Sequence, residues 1–149
     1  MKYFTIEELC KSVTASKLGI NNTPTETDRN HLEELINEIL DPLREAWGSA
    51  IQITSGYRGF KLNKAVGGST TSAHYRGYAA DMVPVNGEIK EFKEFVKNWL
   101  KDGNRLWDQY IDETKGSSEW VHIGLRNSQN KQRKQFLQFK NDKYTTLKV

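Results

Sequence analysis

The sequence predicts an α+β fold, with helices packed on a small, mainly antiparallel sheet. Three observations predict it. Two apolar stripes recur at helical spacing: Leu32, Leu35, Ile36, Ile39, Leu40, Leu43 and Trp47, then Ile89, Phe92, Phe95, Val96, Trp99 and Leu100. Four short runs bounded by turn residues read as strands: Ile51–Thr54, Tyr78–Val83, Leu106–Ile111 and Trp120–Leu125. Helices lead the chain and strands cluster later.

Each element has a local reason. Thr5-Ile6-Glu7-Glu8 fits a capping box and starts a short helix to about Thr14. Residues 15–24 are small and polar, end in Asn21-Asn22-Thr23-Pro24, and read as a loop. The first stripe makes a helix of about residues 27–47, capped by Thr25, Thr27 or Asp28 and stopped by Gly48. Pro42 lies inside it and bends it. Ser55-Gly56 ends the first strand. Residues 59–66 read as a short helix closed by Gly67-Gly68-Ser69, and Pro84 stops the second strand. The second stripe makes a helix ending near Gly103. A final short strand is expected near Tyr144–Leu147.

The length, 149 residues, suggests one domain covering 1–149. Sixteen aromatic residues (four Trp, six Tyr, six Phe) are too many for a disordered chain. Net charge is +3, and the excess is local. Residues 126–149 hold seven lysines and arginines against Asp142, so this basic C-terminal segment carries +6 and the rest −3. Such a segment favours anionic polymers, or is simply a solvated last strand and tail. It lacks a nucleic-acid reader motif, so no nucleic acid is expected. The one cysteine, Cys10, allows no intrachain disulfide and reads as a small buried hydrophobe. No apolar run approaches the roughly 20 residues that span a bilayer, so no membrane insertion is expected. The N-terminus lacks the apolar core of a secretory signal, which implies synthesis and retention in a cytoplasm unless something else releases the chain.

Two segments concentrate the candidate chemistry: residues 72–81, Ser-Ala-His-Tyr-Arg-Gly-Tyr-Ala-Ala-Asp, and residues 119–122, Glu-Trp-Val-His. His74, Asp81 and His122 supply two imidazoles and a carboxylate, enough for a zinc site with an open fourth position. Gly77 permits a turn between the first two. On a strand Asp81 shares a face with the small Ala79, and His122 shares one with Trp120 and Gly124. Glu119 is a candidate general base. Residues three apart in a regular strand face opposite sides, so Glu119 reaches the same site only if the strand starts after it or bulges there. His31, beside Glu33 and Glu34, reads as a solvated side chain.

The combination Ser72-x-His74-x-x-Gly77-x-Ala79-x-Asp81 with Glu119-x-x-His122 resembles the zinc peptidases of the M15 type. Ser55-Gly56-Tyr57-Arg58 and Leu62-Asn63-x-Ala65-Val66-Gly67-Gly68-Ser69 are similar to that family too, and the likeness runs from about Phe4 to Leu125. It is nearest to the small members found in phages and prophages. The resemblance implies the M15, Hedgehog-like peptidase fold and Zn2+ as cofactor. It implies His74, Asp81 and His122 as metal ligands and Glu119 as general base. It further implies Arg58 as the group that binds the scissile carbonyl and Ser72 as a substrate contact or support. Ala73 departs from the glutamine that many members carry. The implied activity is hydrolysis of D-amino-acid-containing bonds in the peptidoglycan stem peptide, by a D-alanyl-D-alanine carboxypeptidase or an endolysin-like endopeptidase. The expected protein is a monomer acting on the cell wall after release, or as a virion component. The rival expectation is a non-catalytic zinc-containing virion or cell-wall-binding module of the same fold.

Overall fold

The computed structural model describes residues 1–149. The first helix, α1 (Ile6–Leu9), starts at Thr5, whose side chain accepts the Glu8 N–H as the capping box requires. It stops at Leu9 rather than near Thr14. A second helix, α2 (Val13–Leu18), occupies part of the expected loop, because Ser12 caps the Ala15 N–H and Gly19 closes the last turn.

The long apolar stripe forms α3 (Glu26–Leu35), a π-helical turn (Ile36–Leu40) and α4 (Asp41–Trp47) in succession. Thr25 is the cap, accepting the Asp28 N–H at 3.1 Å. The π turn is the response to Pro42. A proline there has no N–H for the Glu38 carbonyl and its ring crowds that oxygen, so the helix widens ahead of it. Leu32, Leu35, Ile36, Ile39, Leu40 and Leu43 are all buried, so the stripe keeps its face through the irregular turn.

Six strands follow with short helical pieces between them: β1 (Ile51–Ser55), α5 (Phe60–Ala65), a 3-10 turn (Ala73–Arg76), β2 (Ala79–Pro84), α6 (Ile89–Asp102), β3 (Gln109–Lys115), β4 (Ser118–Gly124), β5 (Gln135–Lys140) and β6 (Lys143–Thr146). They form one sheet in the order β1-β2-β4-β3-β5-β6. All neighbours are antiparallel except β3 and β5. The α+β class expected from the sequence is the class observed.

The third strand begins later than the apolar run 106–111 suggested. Trp107 and Asp108 precede it, both buried, with Asp108 spent on an ion pair to Arg133 instead of a strand position. Strand β5 was not anticipated, since Gln135–Lys140 alternates weakly and sits in a basic segment. The segment 126–149 thus adds two strands to the sheet, one more than the single last strand expected, and none of its residues is buried.

Alternation sorts the sheet into two faces. Ala80 and Met82 of β2, with Val121 and Ile123 of β4, join Phe92, Val96 and Leu100 of α6 in the core. Ala79, Asp81, Trp120, His122 and Gly124 point the other way. A Phe92→Ala change would remove a side chain with no exposure from the centre of this core, a loss of the order of 3–5 kcal/mol. The face opposite α6 carries the candidate site.

Candidate metal centre

Asp81 and His122 are directly opposite each other on β2 and β4. Antiparallel partners of this kind stand about 4.5–5.5 Å apart. His122 Nδ1 is 2.9 Å from Asp81 Oδ1. His74 Nε2 approaches the same oxygen at 3.2 Å. One ligand atom from each of the three residues lies within 4.8 Å of the other two.

His74 reaches the cluster because the 3-10 turn places it over β2. Ser72 starts that turn by accepting the His74 N–H at 3.3 Å. Gly77 ends it with φ +80°, where an added Cβ would lie 3.0 Å from Leu32 Cγ and 3.1 Å from the Asp28 carbonyl. Only glycine meets both conditions. The His74 Nδ1–H donates to the Gly56 carbonyl at 2.8 Å, which leaves Nε2 as the nitrogen that faces Asp81 and would ligate a metal. Gly56 is itself pressed against α1, where any Cβ would collide with the Leu9 carbonyl. The loop before the turn is stapled by Asn63, whose amide donates to the carbonyls of Gly68 at 3.3 Å and Ser69 at 3.0 Å. The motif around Leu62–Ser69 therefore builds the approach to His74.

The charges are mutually dependent. Burial alone would raise the Asp81 carboxyl, but the His74 charge and hydrogen bonds from both imidazoles hold it below the usual carboxylate range. Burial alone would lower His122, and Asp81 outweighs it to hold the imidazole above its ordinary value. Two nitrogens and one oxygen at this spacing are a donor set that fits zinc.

Arg58 also belongs here. Its Nη2 donates to Ser72 Oγ at 3.0 Å, and its backbone N–H donates to the His74 carbonyl at 2.9 Å. Its Nε is buried without a partner. Burial lowers its proton affinity, and the charges of Asp81 and Glu113 offset only part of that.

The structure does not bring Glu119 to the cluster. Strand β4 runs unbroken from Ser118 and pairs residue for residue with β3, so Glu119 has the parity of Val121 and faces α6. There its carboxylate meets Lys93 Nζ at 2.5 Å. The same ammonium is 2.7 Å from Asp112. Neither a late strand start nor a bulge rescues the parity.

The carboxylate that does face the cluster is Glu113 of β3. It pairs with Trp120, next on that face to the Ile111–His122 pair, so it is diagonal to His122 and within reach of it. Trp120 Nε1 donates to Glu113 Oε2 at 2.6 Å. Burial, then the nearby charge of Asp81, raises the Glu113 carboxyl above its ordinary range. The sequence signal was present: Ile111 and Glu113 share the parity that an antiparallel partner of His122 requires. The late start of β3 hid it.

His31 is not a solvated side chain. Its Nδ1 accompanies the Arg76 carbonyl at 2.7 Å, its Nε2 the Tyr78 hydroxyl at 2.9 Å, and its ring stacks on Tyr78. It ties α3 to the turn that carries His74. Cys10 is half-buried, and burial pushes its thiol up to about 11.

A family model described as Peptidase M15 matches residues 2–124. The chain belongs to the Peptidase M15 family. Membership supports a peptidase, and the His74, Asp81 and His122 cluster supports a metallopeptidase in this M15 chain. No curated protein matches it. No helix is long and apolar enough to cross a membrane.

Proposed function

We propose that this chain is a zinc metallopeptidase that hydrolyses D-amino-acid-containing peptide bonds of bacterial peptidoglycan, as a carboxypeptidase or an endopeptidase. The observation that carries the reading is the convergence of His74, Asp81 and His122 on one sheet face with Glu113 and Arg58 beside them. Family membership and the motif around Ser72–Asp81 support it.

His74, Asp81 and His122 would hold the ion. When bound, zinc acidifies water towards a pKa of about 7 and polarises a carbonyl oxygen. The remaining work falls to the chain. Glu113 accepts the proton of the attacking water and passes it to the leaving amine. Trp120 aims that carboxylate. Arg58 faces the negative charge that grows on the carbonyl oxygen, with Ser72 holding its guanidinium. Glu113 thus takes the role first given to Glu119. The wall lies outside the cytoplasm, and the protein in this reading acts there as a monomer, after release or as a virion component.

The test is hydrolysis of a defined muropeptide followed by mass spectrometry of the products. Activity should disappear on chelation and return with zinc. Wall-peptide hydrolysis indifferent to chelation would overturn the reading.

A further inference from the structure

Strands β5 and β6 lie beyond the matched residues 2–124, yet they are fastened to the rest of the fold. Asp108, 1% exposed, accepts Arg133 Nε at 2.9 Å and Nη2 at 2.8 Å. Phe136 packs on Trp107 and Tyr110, with ring centroids 4.8 and 5.7 Å apart. Gln132 donates to the Leu125 carbonyl at 3.1 Å.

Register then decides what these strands offer to the site. Leu137 pairs with Ile111 and Phe139 with Glu113. Tyr144 pairs in turn with Phe139, and Thr146 with Leu137. All four share the face of Asp81 and His122. The Phe139 and Tyr144 rings are 4.6 Å apart, and Tyr144 remains 60% exposed. Burial of the hydroxyl, then the charges of Glu113 and Asp81, raises the Tyr144 phenol, so it stays a donor at any working pH.

We propose that the β5–β6 hairpin is a substrate-binding arm, in which Phe139 and Tyr144 hold the peptide chain flanking the scissile bond and select for peptide length. This rests on the peptidase reading above. From β4 to β6 is three strand spacings, roughly 14 Å. An extended peptide covers that distance in about four residues. A dipeptide held at the metal cluster does not reach Tyr144, whereas a stem pentapeptide does. The occupant is the peptide held at the metal cluster, because one sheet face runs without a break from Asp81 and His122 through Glu113 to Phe139 and Tyr144.

The experiment uses the full chain, zinc-loaded, with synthetic D-amino-acid peptides of two to five residues sharing one scissile bond. Tyr144→Ala and Phe139→Ala should raise KM about tenfold for the pentapeptide, with a rise that shrinks as the peptide shortens. Calorimetric Kd values for the pentapeptide, measured in a Glu113→Gln background with and without Tyr144→Ala, should move by the same factor. Tyr144 is exposed, so that variant keeps the fold, which an unchanged Tm verifies. Equal KM and Kd values across variants would overturn the arm. Tyr144-dependent binding of a peptide-free glycan strand would also overturn it, by making the aromatic pair a sugar platform. Absence of hydrolysis by the unmodified protein refutes the peptidase reading alone, since the calorimetric series still decides the arm.

Discussion

Glu113 and Glu119 belong to one β-hairpin and project from opposite faces of the sheet. Glu113 shares its face with His122 and Asp81 and is held by the Trp120 indole. Glu119 shares its face with Val121 and is held by Lys93 of α6. The hairpin therefore sets one carboxylate beside the candidate metal centre and the other against α6.

That assignment makes Glu119 a stability residue of modest size. Its side chain is 41% exposed while Lys93 is 11% exposed, so the pair is worth up to about 1 kcal/mol. The Lys93 ammonium holds the Glu119 carboxyl below its ordinary value. A depressed carboxyl contributes stability above its unfolded pKa and loses it as pH falls through its folded one. Glu119→Gln should therefore lower stability near pH 7 and match the unsubstituted protein near pH 2. Urea titrations at the two pH values check this. A deficit of equal size in acid would contradict it.

Metal removal has a pH signature of its own. In the metal-free protein Asp81 raises the proton affinity of His122. A raised imidazole contributes stability that is present below its unfolded pKa and lost as pH rises through the folded one. Zinc requires the neutral imidazole, so it competes with that proton. Added zinc should raise Tm more at pH 8 than at pH 5.5. At free zinc 100 times Kd the stabilisation is about 2.7 kcal/mol. Thermal melts with zinc or chelator at both pH values test this, with Asp81→Ala as a variant that should lose the zinc response. A shift that ignores pH would count against the ligand set.

The parts legible in the sequence are those with a local cause. The apolar stripes located the helices, and parity on β2 and β4 put Asp81 beside His122. Gly77 announced its turn. The failures have non-local causes. A gap of three between Glu119 and His122 matched a motif, while strand pairing with β3 set the actual parity. Where β3 starts depends on Asp108 binding Arg133, 25 residues away. Strand β5 exists because β3 offers it an edge and Trp107 a packing surface for Phe136. His31 looked solvated because its partners, Arg76 and Tyr78, are 45 and 47 residues distant.

The most direct test compares turnover of Glu113→Gln and Glu119→Gln on one muropeptide, with bound zinc quantified in each. Glu113→Gln should keep stoichiometric zinc and lose turnover by roughly 10²–10⁴-fold. Glu119→Gln should keep both zinc and turnover to within a few-fold. The reverse pattern, with Glu119→Gln inactive and Glu113→Gln active, would contradict the account.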